Sequence, residues 1–343
     1  MRKKGHIPSL VSYNCIVHGL CKEGGCMRAY QMMQEGCEFG YSPSEYTYTC
    51  LLENLCRIGD LQKASEAFRL MLARTGADQK RTYNIYLRAL CYMENSTTEI
   101  LNVLVCMLQC GCQPDVVTLN TVINGFCRTG KVDEALKIMD DMLTGKFCLP
   151  DAVTCTTIIS ALLKARRSQE ALHVFHGLMP SKGIDPTLVS YNAVLHGLMK
   201  LGLASEAKDV FRKMVAEGAR PDATTYSILI EGLCGCGLVD EAKELWDGAV
   251  WPSDQHDPFV YAAVLKGFCN AGKFNDACHF LYELADCGVT PNAVCYNIVI
   301  NGAYRLGMKK EAYQVLAEMR RAGVAPDAVT WRTLDKFHDL FPL

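Results

Sequence analysis

The chain repeats one pattern about every 35 residues, and this period limits the folds open to it more than any other feature. Residues 114–136 read PDVVTLNTVINGFCRTGKVDEAL, and residues 221–243 read PDATTYSILIEGLCGCGLVDEAK. When each repeat is counted from the residue after Pro-Asp or its equivalent, successive starts lie 35 or 36 residues apart. Self-similarity at such a spacing is typical of stacked supersecondary units, so the chain is predicted to be a repeat array rather than two or three globular domains.

Nine full repeats can be delimited, and they are numbered 1 to 9 from the N-terminus. Their ranges are 10–44, 45–79, 80–115, 116–151, 152–187, 188–222, 223–257, 258–292 and 293–327. Residues 1–9 align with the tail of a preceding repeat, as GHIPS beside GVAPD (323–327) indicates, so we expect the chain to begin inside a repeat. Residues 328–343 are predicted to form a partial repeat that caps the C-terminal end.

Each repeat contains two amphipathic stretches separated by a turn. In repeat 9, VCYNIVINGAYR and KKEAYQVLAEMRRAG carry apolar residues at helical spacing, and GM lies between them. A glycine that tolerates positive φ can end the first helix at this turn. It is present in seven repeats, as Gly24, Gly59, Gly130, Gly202, Gly237, Gly272 and Gly307. Glu94 and Arg166 replace it in repeats 3 and 5, so these two turns are expected to differ.

A small residue recurs on the second helix and would let the first helix approach closely. It is alanine in eight repeats, at Ala29, Ala64, Ala135, Ala171, Ala207, Ala242, Ala277 and Ala312, with Ile100 in repeat 3. One helical pair cannot bury both of its faces, so neighbouring pairs must stack. The predicted fold is all-α: a right-handed α-solenoid of stacked helix-turn-helix hairpins, with a continuous core and a concave side.

Composition narrows the classes of protein further. Hydrophobic residues make up 50% of the chain, which excludes disorder, and no run of 18 apolar residues occurs, which argues against a membrane span. Nineteen cysteines, an odd count with no secretory leader before them, favour a reducing compartment. The net charge is -2 and the pI is near 6.4, so an anionic partner would have to meet a local stripe of positive charge.

These motifs resemble a known family. A repeat of 35 residues with YN near its start, LC-basic-x-G at the turn, DEA on the second helix and G-x-x-PD at its end resembles the plain pentatricopeptide repeat, the P class. The W-x2-L-G-x2-Y signature of the tetratricopeptide repeat is missing. The resemblance implies a plant protein that binds single-stranded RNA, about one nucleotide per repeat, in the processing, stabilisation, splicing or translation of organellar transcripts. It implies a mitochondrial protein, or alternatively a chloroplast one, whose transit peptide is not present in this chain.

The resemblance also implies that the fifth residue of each repeat, together with the last residue before the next repeat, reads one base. An Asn amide offers a donor and an acceptor to a pyrimidine, while a shorter Ser or Thr leaves room for a purine. In the family, Asn with Asp favours uracil, Asn with Ser cytosine, and Ser or Thr with Asp guanine. The pairs here are Asn14 with Ser44, Thr49 with Gln79, Asn84 with Asp115, Asn120 with Asp151, Thr156 with Thr187, Asn192 with Asp222, Ser227 with Asp257, Ala262 with Asn292, and Asn297 with Asp327.

From the 5′ end, these pairs predict a pyrimidine (C preferred), an unassigned base, U, U, a purine, U, G, an unassigned base and U. In the family, the second residue of each repeat wedges between successive bases, and an aromatic one could stack on them. These residues are Val11, Tyr46, Arg81, Val117, Val153, Val189, Thr224, Phe259 and Val294. Apolar residues at helix starts are common in proteins, but nine aligned repeats favour the functional interpretation.

A basic residue recurs just before the turn in six repeats, at Lys22, Arg57, Arg128, Lys164, Lys200 and Arg305. Aligned along a solenoid, these side chains would form a cationic track for the phosphates of a single strand. The alternative is a helical-repeat scaffold that binds a protein or peptide in the same groove. Such a scaffold has no reason to keep Asn, Ser or Thr at one position and Asp, Asn or Ser at another.

No catalytic or metal-binding pattern is found. Six cysteines share one position at the end of the first helix, which predicts small buried packing residues: Cys21, Cys56, Cys91, Cys127, Cys234 and Cys269. No C-x2-C pair, H-E-x-x-H, Walker motif, G-x-S-x-G or deaminase H-x-E occurs. We therefore expect no enzymatic activity, no metal and no cofactor, and a monomer whose partner is single-stranded RNA and not a membrane.

Overall fold

The computed structural model describes residues 9–38, 40, 43–74, 79–93, 97–250, 258–286 and 289–340, and regular structure in this part of the chain is helical. The chain divides into two bodies, residues 1–165 and 166–343. The helices of the first body are α1 (Leu10–Lys22), α2 (Cys26–Glu38), α3 (Glu45–Arg57), α4 (Leu61–Arg74), α5 (Gln79–Leu90), α6 (Thr97–Gln109), α7 (Val116–Arg128), α8 (Val132–Leu143) and α9 (Ala152–Lys164).

The second body contains eleven further α-helices among its described residues. They are α10 (Ser168–His173), α11 (Met179–Ser181), α12 (Leu188–Lys200), α13 (Ala204–Ala216), α14 (Ala223–Gly235), α15 (Val239–Leu245), α16 (Pro258–Asn270), α17 (Phe274–Asp286), α18 (Ala293–Arg305), α19 (Lys309–Arg321) and α20 (Ala328–Leu340). A π-helical stretch, Val174–Leu178, joins α10 to α11, and another, Trp246–Val250, extends α15. None of the helices described is long and apolar enough to cross a membrane.

The turns inside the hairpins depend on a residue in the left-handed conformation. All seven glycines predicted to end a first helix have φ between 72° and 81°, which confirms that prediction. Arg166, at the turn of repeat 5, has φ 61°, so the expectation that this turn differs is wrong. The hairpin requires the left-handed backbone even where a side chain makes it unfavourable. Glu94, at the turn of repeat 3, lies outside the described residues.

Within each body the first helices pack directly on one another. In the first body, α1 packs on α3, α3 on α5, α5 on α7 and α7 on α9; in the second, α12, α14, α16, α18 and α20 follow in the same way. Their hairpin partners, such as α2 on α1 and α19 on α18, cover the other side. The eight recurring alanines and Ile100 are at most 2% exposed, which confirms their predicted role as buried residues between helices.

The recurring cysteines fill the gap between successive first helices. Five of the six are buried, as predicted, and Cys127 is half-buried. Cys91 lies against Gly125 of the next first helix, Cys234 against Gly267, and Cys269 against Gly302.

Burial keeps these thiols protonated at neutral pH. It raises the pKa of Cys56 and Cys269 to about 12, and that of Cys91, Cys127 and Cys234 to about 11. Across the described part of the chain, no group of three or more His, Cys, Asp or Glu side chains could hold a metal ion.

Candidate functional site

One side of the first helices carries the predicted site residues in a constant arrangement. Positions 2, 5, 9 and 13 of a repeat lie on the same face of a helix, because they are separated by three or four residues. We call this surface the first-helix face. All nine residues at position 2 are exposed, from Val294 at 55% to Phe259 at 79% among the apolar ones. All nine at position 5 are half-buried, and all six cations at position 13 are exposed.

The last residue of a repeat caps the first helix of the next repeat. Its side chain accepts a hydrogen bond from the backbone N–H three residues later, which satisfies one of the free donors of the helix end. Ser44, Asp115, Asp151, Thr187, Asp222, Asn292 and Asp327 all do so. Gln79 is instead the first residue of α5, and Asp257 lies outside the described residues.

This capping role was missed in the sequence, although a signal was present. A Ser, Thr, Asp or Asn just before an apolar helical stretch is typical of a helix start, and here a Thr or Ser follows three residues later in the place of the usual Glu or Gln. The buried residues Thr47, Thr118, Thr154, Ser190 and Thr225 occupy that third position. A cap is worth about 1 kcal/mol to a helix, so Asp at this position has a structural reason to be present in addition to any contact with a ligand.

In three repeats the position-5 Asn, the capping Asp and the following Thr are joined by hydrogen bonds. We call this arrangement the latch. The Asn amide Nδ2 donates to the Asp Oδ1 over 3.0–3.3 Å, and the Thr hydroxyl lies 2.5–2.7 Å from the Asn Oδ1 and 2.7–3.0 Å from the Asp Oδ1. The three latches are Asn120 with Asp151 and Thr154, Asn192 with Asp222 and Thr225, and Asn297 with Asp327 and Thr330.

The latch fixes the orientation of the Asn side-chain amide. A carboxylate can only accept, so the amide nitrogen must face the Asp and the amide oxygen must face the Thr. The latch uses one N–H and one lone pair of the Asn. One N–H and one lone pair remain for a ligand, and these match the mixed donor and acceptor edge of a base.

The latch carboxylates are ionised at neutral pH. Partial burial acts to raise the pKa of Asp151 and Asp222, but hydrogen bonds from Thr154, Thr225 and the Asn amides outweigh it and lower the pKa below its usual value. The backbone N–H of Thr330 is the main cause that lowers the pKa of Asp327, with Asn297 second. Each latch therefore places a negative charge beside a neutral amide.

The fourth predicted Asn–Asp pair, in repeat 3, is not latched. The Oδ1 atom of Asn84 is buried and has no hydrogen-bond partner among the described residues. Thr118 donates to Asp115 Oδ1 over 2.9 Å, and the Asp115 Oδ2 atom lies 3.4 Å from the ammonium of Lys80. Four pairs that are identical in sequence therefore have two different structures.

The remaining position-5 residues differ in their chemistry. Asn14 accepts from Thr47 over 3.0 Å and from the Ser44 backbone over 3.4 Å, an arrangement that contains no carboxylate. Thr49 and Thr156 donate to carbonyl oxygens of their own helices, over 2.9 and 2.6 Å. The Ser227 hydroxyl is buried and without a partner in the described structure, and Ala262 offers no polar group.

Two of the predicted phosphate-binding arginines share an aromatic residue that the sequence analysis missed. The guanidinium groups of Arg57 and Arg128 lie 4.8 and 5.2 Å from the ring centroid of Tyr92, which occupies the same position in the intervening repeat. In the second body, Arg305 donates to Asn270 of the preceding repeat over 2.6 Å. These contacts hold the cations along the first-helix face. The sequence signal for the aromatic contact was that Tyr92 occupies position 13 of its repeat, as Arg57 and Arg128 do in theirs.

Two position-2 side chains already have partners on this face. The Nε atom of Arg81 lies 2.6 Å from a carboxylate oxygen of Glu45, so it is an ion pair in the structure. The Tyr46 ring packs on His18, with 5.0 Å between the ring centroids. The five valines at this position are 55–72% exposed, so each presents an apolar surface on the first-helix face.

Comparison with known proteins identifies related sequences and folds. The PPR repeat family matches residues 8–57, 150–200, 186–235, 256–305 and 291–335, and further PPR repeat matches cover 46–74, 110–143 and 224–248. A pentatricopeptide repeat-containing protein of Arabidopsis thaliana is 61% identical over 41 residues, which are 12% of this chain and 6% of that protein.

Solved structures with a similar fold include the maize protein PPR10 in complex with an 18-nt psaJ RNA element. That chain is 24% identical with a TM-score of 0.47, and the alignment covers 98% of this chain and 54% of that one. Nuclear proteinaceous RNase P 2 of Arabidopsis thaliana is 19% identical with a TM-score of 0.40 over 50% of this chain and 38% of that one. The chain thus spans about half the length of PPR10 and a small part of the Arabidopsis sequence relative.

Proposed function

The chain belongs to the PPR repeat family, and we propose that it binds single-stranded RNA in a sequence-specific way, about one nucleotide per repeat. The observation that carries this proposal is the latch. The same Asn amide, oriented by the same Asp and Thr, recurs on the first-helix face in repeats 4, 6 and 9. A merely structural cap needs the Asp and the Thr but gives no reason for a half-buried Asn at position 5 of the preceding repeat.

The neighbouring residues support the same function. Exposed valines at position 2 lie one helical turn from the Asn side chains and offer apolar surface to the faces of bases. Exposed cations at position 13 offer charge to the phosphates. The repeats at 10–44 through 293–327 would each take one base, with the partial repeat 328–343 as a cap.

The protein would supply recognition without chemistry of its own. Occupying roughly nine nucleotides could protect a transcript from exonucleases, expose a ribosome site or aid intron folding. We propose that it does so as a monomer in a plant organelle, the mitochondrion before the chloroplast.

Binding to a designed nonamer tests the base assignment. RNA of sequence CAUUAUGAU is expected to bind roughly a hundredfold more tightly than a scrambled RNA of the same composition, because mismatches cost about 1–3 kcal/mol each and add roughly independently. Fluorescence anisotropy at fixed salt would measure both constants. Equal affinity for the two RNAs would remove the base-reading function, and no affinity for either would favour a peptide-binding scaffold.

The salt dependence of binding tests the cationic track separately. If all six position-13 cations contact phosphates, the logarithm of the binding constant should fall with the logarithm of salt concentration with a slope of roughly 4, from about 0.7 per phosphate. A variant in which Lys22, Lys164 and Lys200 are changed to Gln should lower this slope to about 2. A slope near zero in the unmodified protein would contradict phosphate contacts at these positions.

A further inference from the structure

We propose that Lys80 determines the specificity of repeat 3, making its base position tolerant of both uracil and cytosine. This inference rests on the proposed function, since it concerns how one repeat reads RNA. It departs from the uracil that the Asn84 and Asp115 pair predicts from sequence. Repeats 3, 4, 6 and 9 all carry Asn at position 5 and Asp as the last residue, but these two side chains are arranged differently in repeat 3.

Lys80 is the only cation at the first position of a repeat. The other eight repeats begin with Leu10, Glu45, Val116, Ala152, Leu188, Ala223, Pro258 and Ala293. The Lys80 ammonium lies 3.4 Å from the Oδ2 atom of Asp115, and both side chains are about two-fifths exposed, at 43% and 41%. The ion pair is therefore accessible from solvent and occupies the carboxylate oxygen that Thr118 does not bind.

The same repeat lacks the latch. In repeats 4, 6 and 9 the Asn donates to Oδ1 of the capping Asp, and the contacts of the latch do not use Oδ2. In repeat 3, Asp115 Oδ1 receives the backbone N–H and hydroxyl of Thr118, and Oδ2 faces Lys80. Asn84 is left with a buried carbonyl oxygen that has no partner in the described structure. Its amide is thus not oriented by a carboxylate.

Pairing the Asp115 carboxylate with an ammonium changes what the site can distinguish. Uracil and cytosine differ at N3, which is a donor in uracil and an acceptor in cytosine. A carboxylate can accept the N3–H of uracil and repels the N3 lone pair of cytosine. An ammonium supplies only donors, and these can be accepted by O2 or O4 of uracil and by O2 or N3 of cytosine. In repeat 3 the carboxylate that separates the two pyrimidines therefore has one oxygen bound by Thr118 and the other paired with Lys80.

A reciprocal pair of substitutions tests this assignment. Lys80→Leu introduces the residue that begins repeats 1 and 6, and Val116→Lys moves the cation to the latched repeat 4. Affinities are measured for nonamers that carry U or C at the third or at the fourth base. The unmodified protein is expected to distinguish U from C about tenfold at the fourth base and less than about twofold at the third, since a good base contact is worth roughly 1–3 kcal/mol.

Lys80→Leu should raise the U-over-C ratio at the third base to about tenfold, and Val116→Lys should lower the ratio at the fourth base to about twofold. If Val116→Lys does not fold, Ala293→Lys places a cation at the first position of the latched repeat 9 and tests the same effect at the ninth base. Lys164→Leu is the charge control: it should weaken binding to every RNA by the same factor and change neither ratio.

The outcomes separate this inference from the proposed function. Two results would overturn the role of Lys80 and leave the proposed function intact. One is that the unmodified protein distinguishes U from C as strongly at the third base as at the fourth. The other is that Lys80→Leu leaves the U-over-C ratio at the third base unchanged. No discrimination at either base in the unmodified protein would overturn the proposed function and this inference with it.

Discussion

A triple variant, Asn120→Ser, Asn192→Ser and Asn297→Ser, is expected to exchange uracil for guanine at the fourth, sixth and ninth bases. The substitution removes the oriented amide from each latch and leaves the capping Asp in place. Serine is the residue of repeat 7, and its shorter side chain leaves room for a purine. Because the three sites share no partners, their effects should add, and the preference for the U-containing over the G-containing RNA should fall by at least about a hundredfold.

The control for this variant lies on the same helices. Asn124 and Asn301 are exposed at position 9 of repeats 4 and 9, one helical turn beyond the latch. Changing both to Ser removes two amides from the first-helix face without affecting any latch, and should leave every base preference unchanged. Competition between the two RNAs gives the ratio directly. A triple variant that keeps its preference for uracil would show that the latches cap helices and do not read bases.

Stability has to be followed alongside affinity. Each Asn→Ser change removes a hydrogen bond to a capping Asp, and such bonds contribute about 1 kcal/mol each. A loss of binding to both RNAs together with a lower melting temperature would indicate unfolding. A change in the ratio of the two affinities at unchanged helicity would indicate a change in base reading.

The period of the sequence was sufficient to predict the elements of the fold. Gly24 and Gly307 end first helices, Ala29 and Ala312 are buried, and Cys91 packs inside, because each is set by the helical register of its own repeat. The same register explains why the nine position-2 residues are exposed and the nine position-5 residues half-buried. Properties that repeat with the chain can be predicted from one aligned position.

Contacts between side chains far apart in the sequence could not be predicted in this way. Tyr92 and its two arginines lie in neighbouring repeats, and Lys80 and Asp115 lie at opposite ends of one repeat. The partners are about 35 residues apart in both cases, and each contact depends on which rotamers the surrounding helices allow. Position 5 and the last residue were enough to name four Asn–Asp pairs. They could not show that three are latched and one is not, because both positions are the same in all four repeats, and repeat 3 differs in having Lys80 beside Asp115. Arg166 shows the same limit for the backbone, since the hairpin imposes a conformation that arginine rarely adopts.

A pair of glycine-to-alanine variants is expected to change stability in opposite directions. Gly125 and Gly19 both occupy position 10 of a first helix. A Cβ atom added at Gly125 would lie 2.7 Å from the Cβ of Cys91 and closer still to its Sγ, whereas one added at Gly19 meets nothing within 4 Å. Overpacking a core costs about 1–3 kcal/mol, while replacing Gly by Ala inside a helix contributes up to about 1 kcal/mol.

Gly125→Ala should therefore lower the free energy of unfolding by about 1–2 kcal/mol, because the clash with Cys91 outweighs the gain in helix propensity. Gly19→Ala should raise it by as much as about 1 kcal/mol. Urea unfolding followed by circular dichroism at 222 nm, extrapolated to zero denaturant, measures both. The Cys91 side chain cannot relieve the clash by turning its sulfur away, since its Cβ does not move on that rotation and would still lie 2.7 Å from the added methyl. If the Gly125→Ala protein were as stable as the Gly19→Ala protein, the first helices of repeats 3 and 4 would not be packed through Cys91 and Gly125. The spacing between position-5 residues on the first-helix face depends on that packing and would then have to be reconsidered.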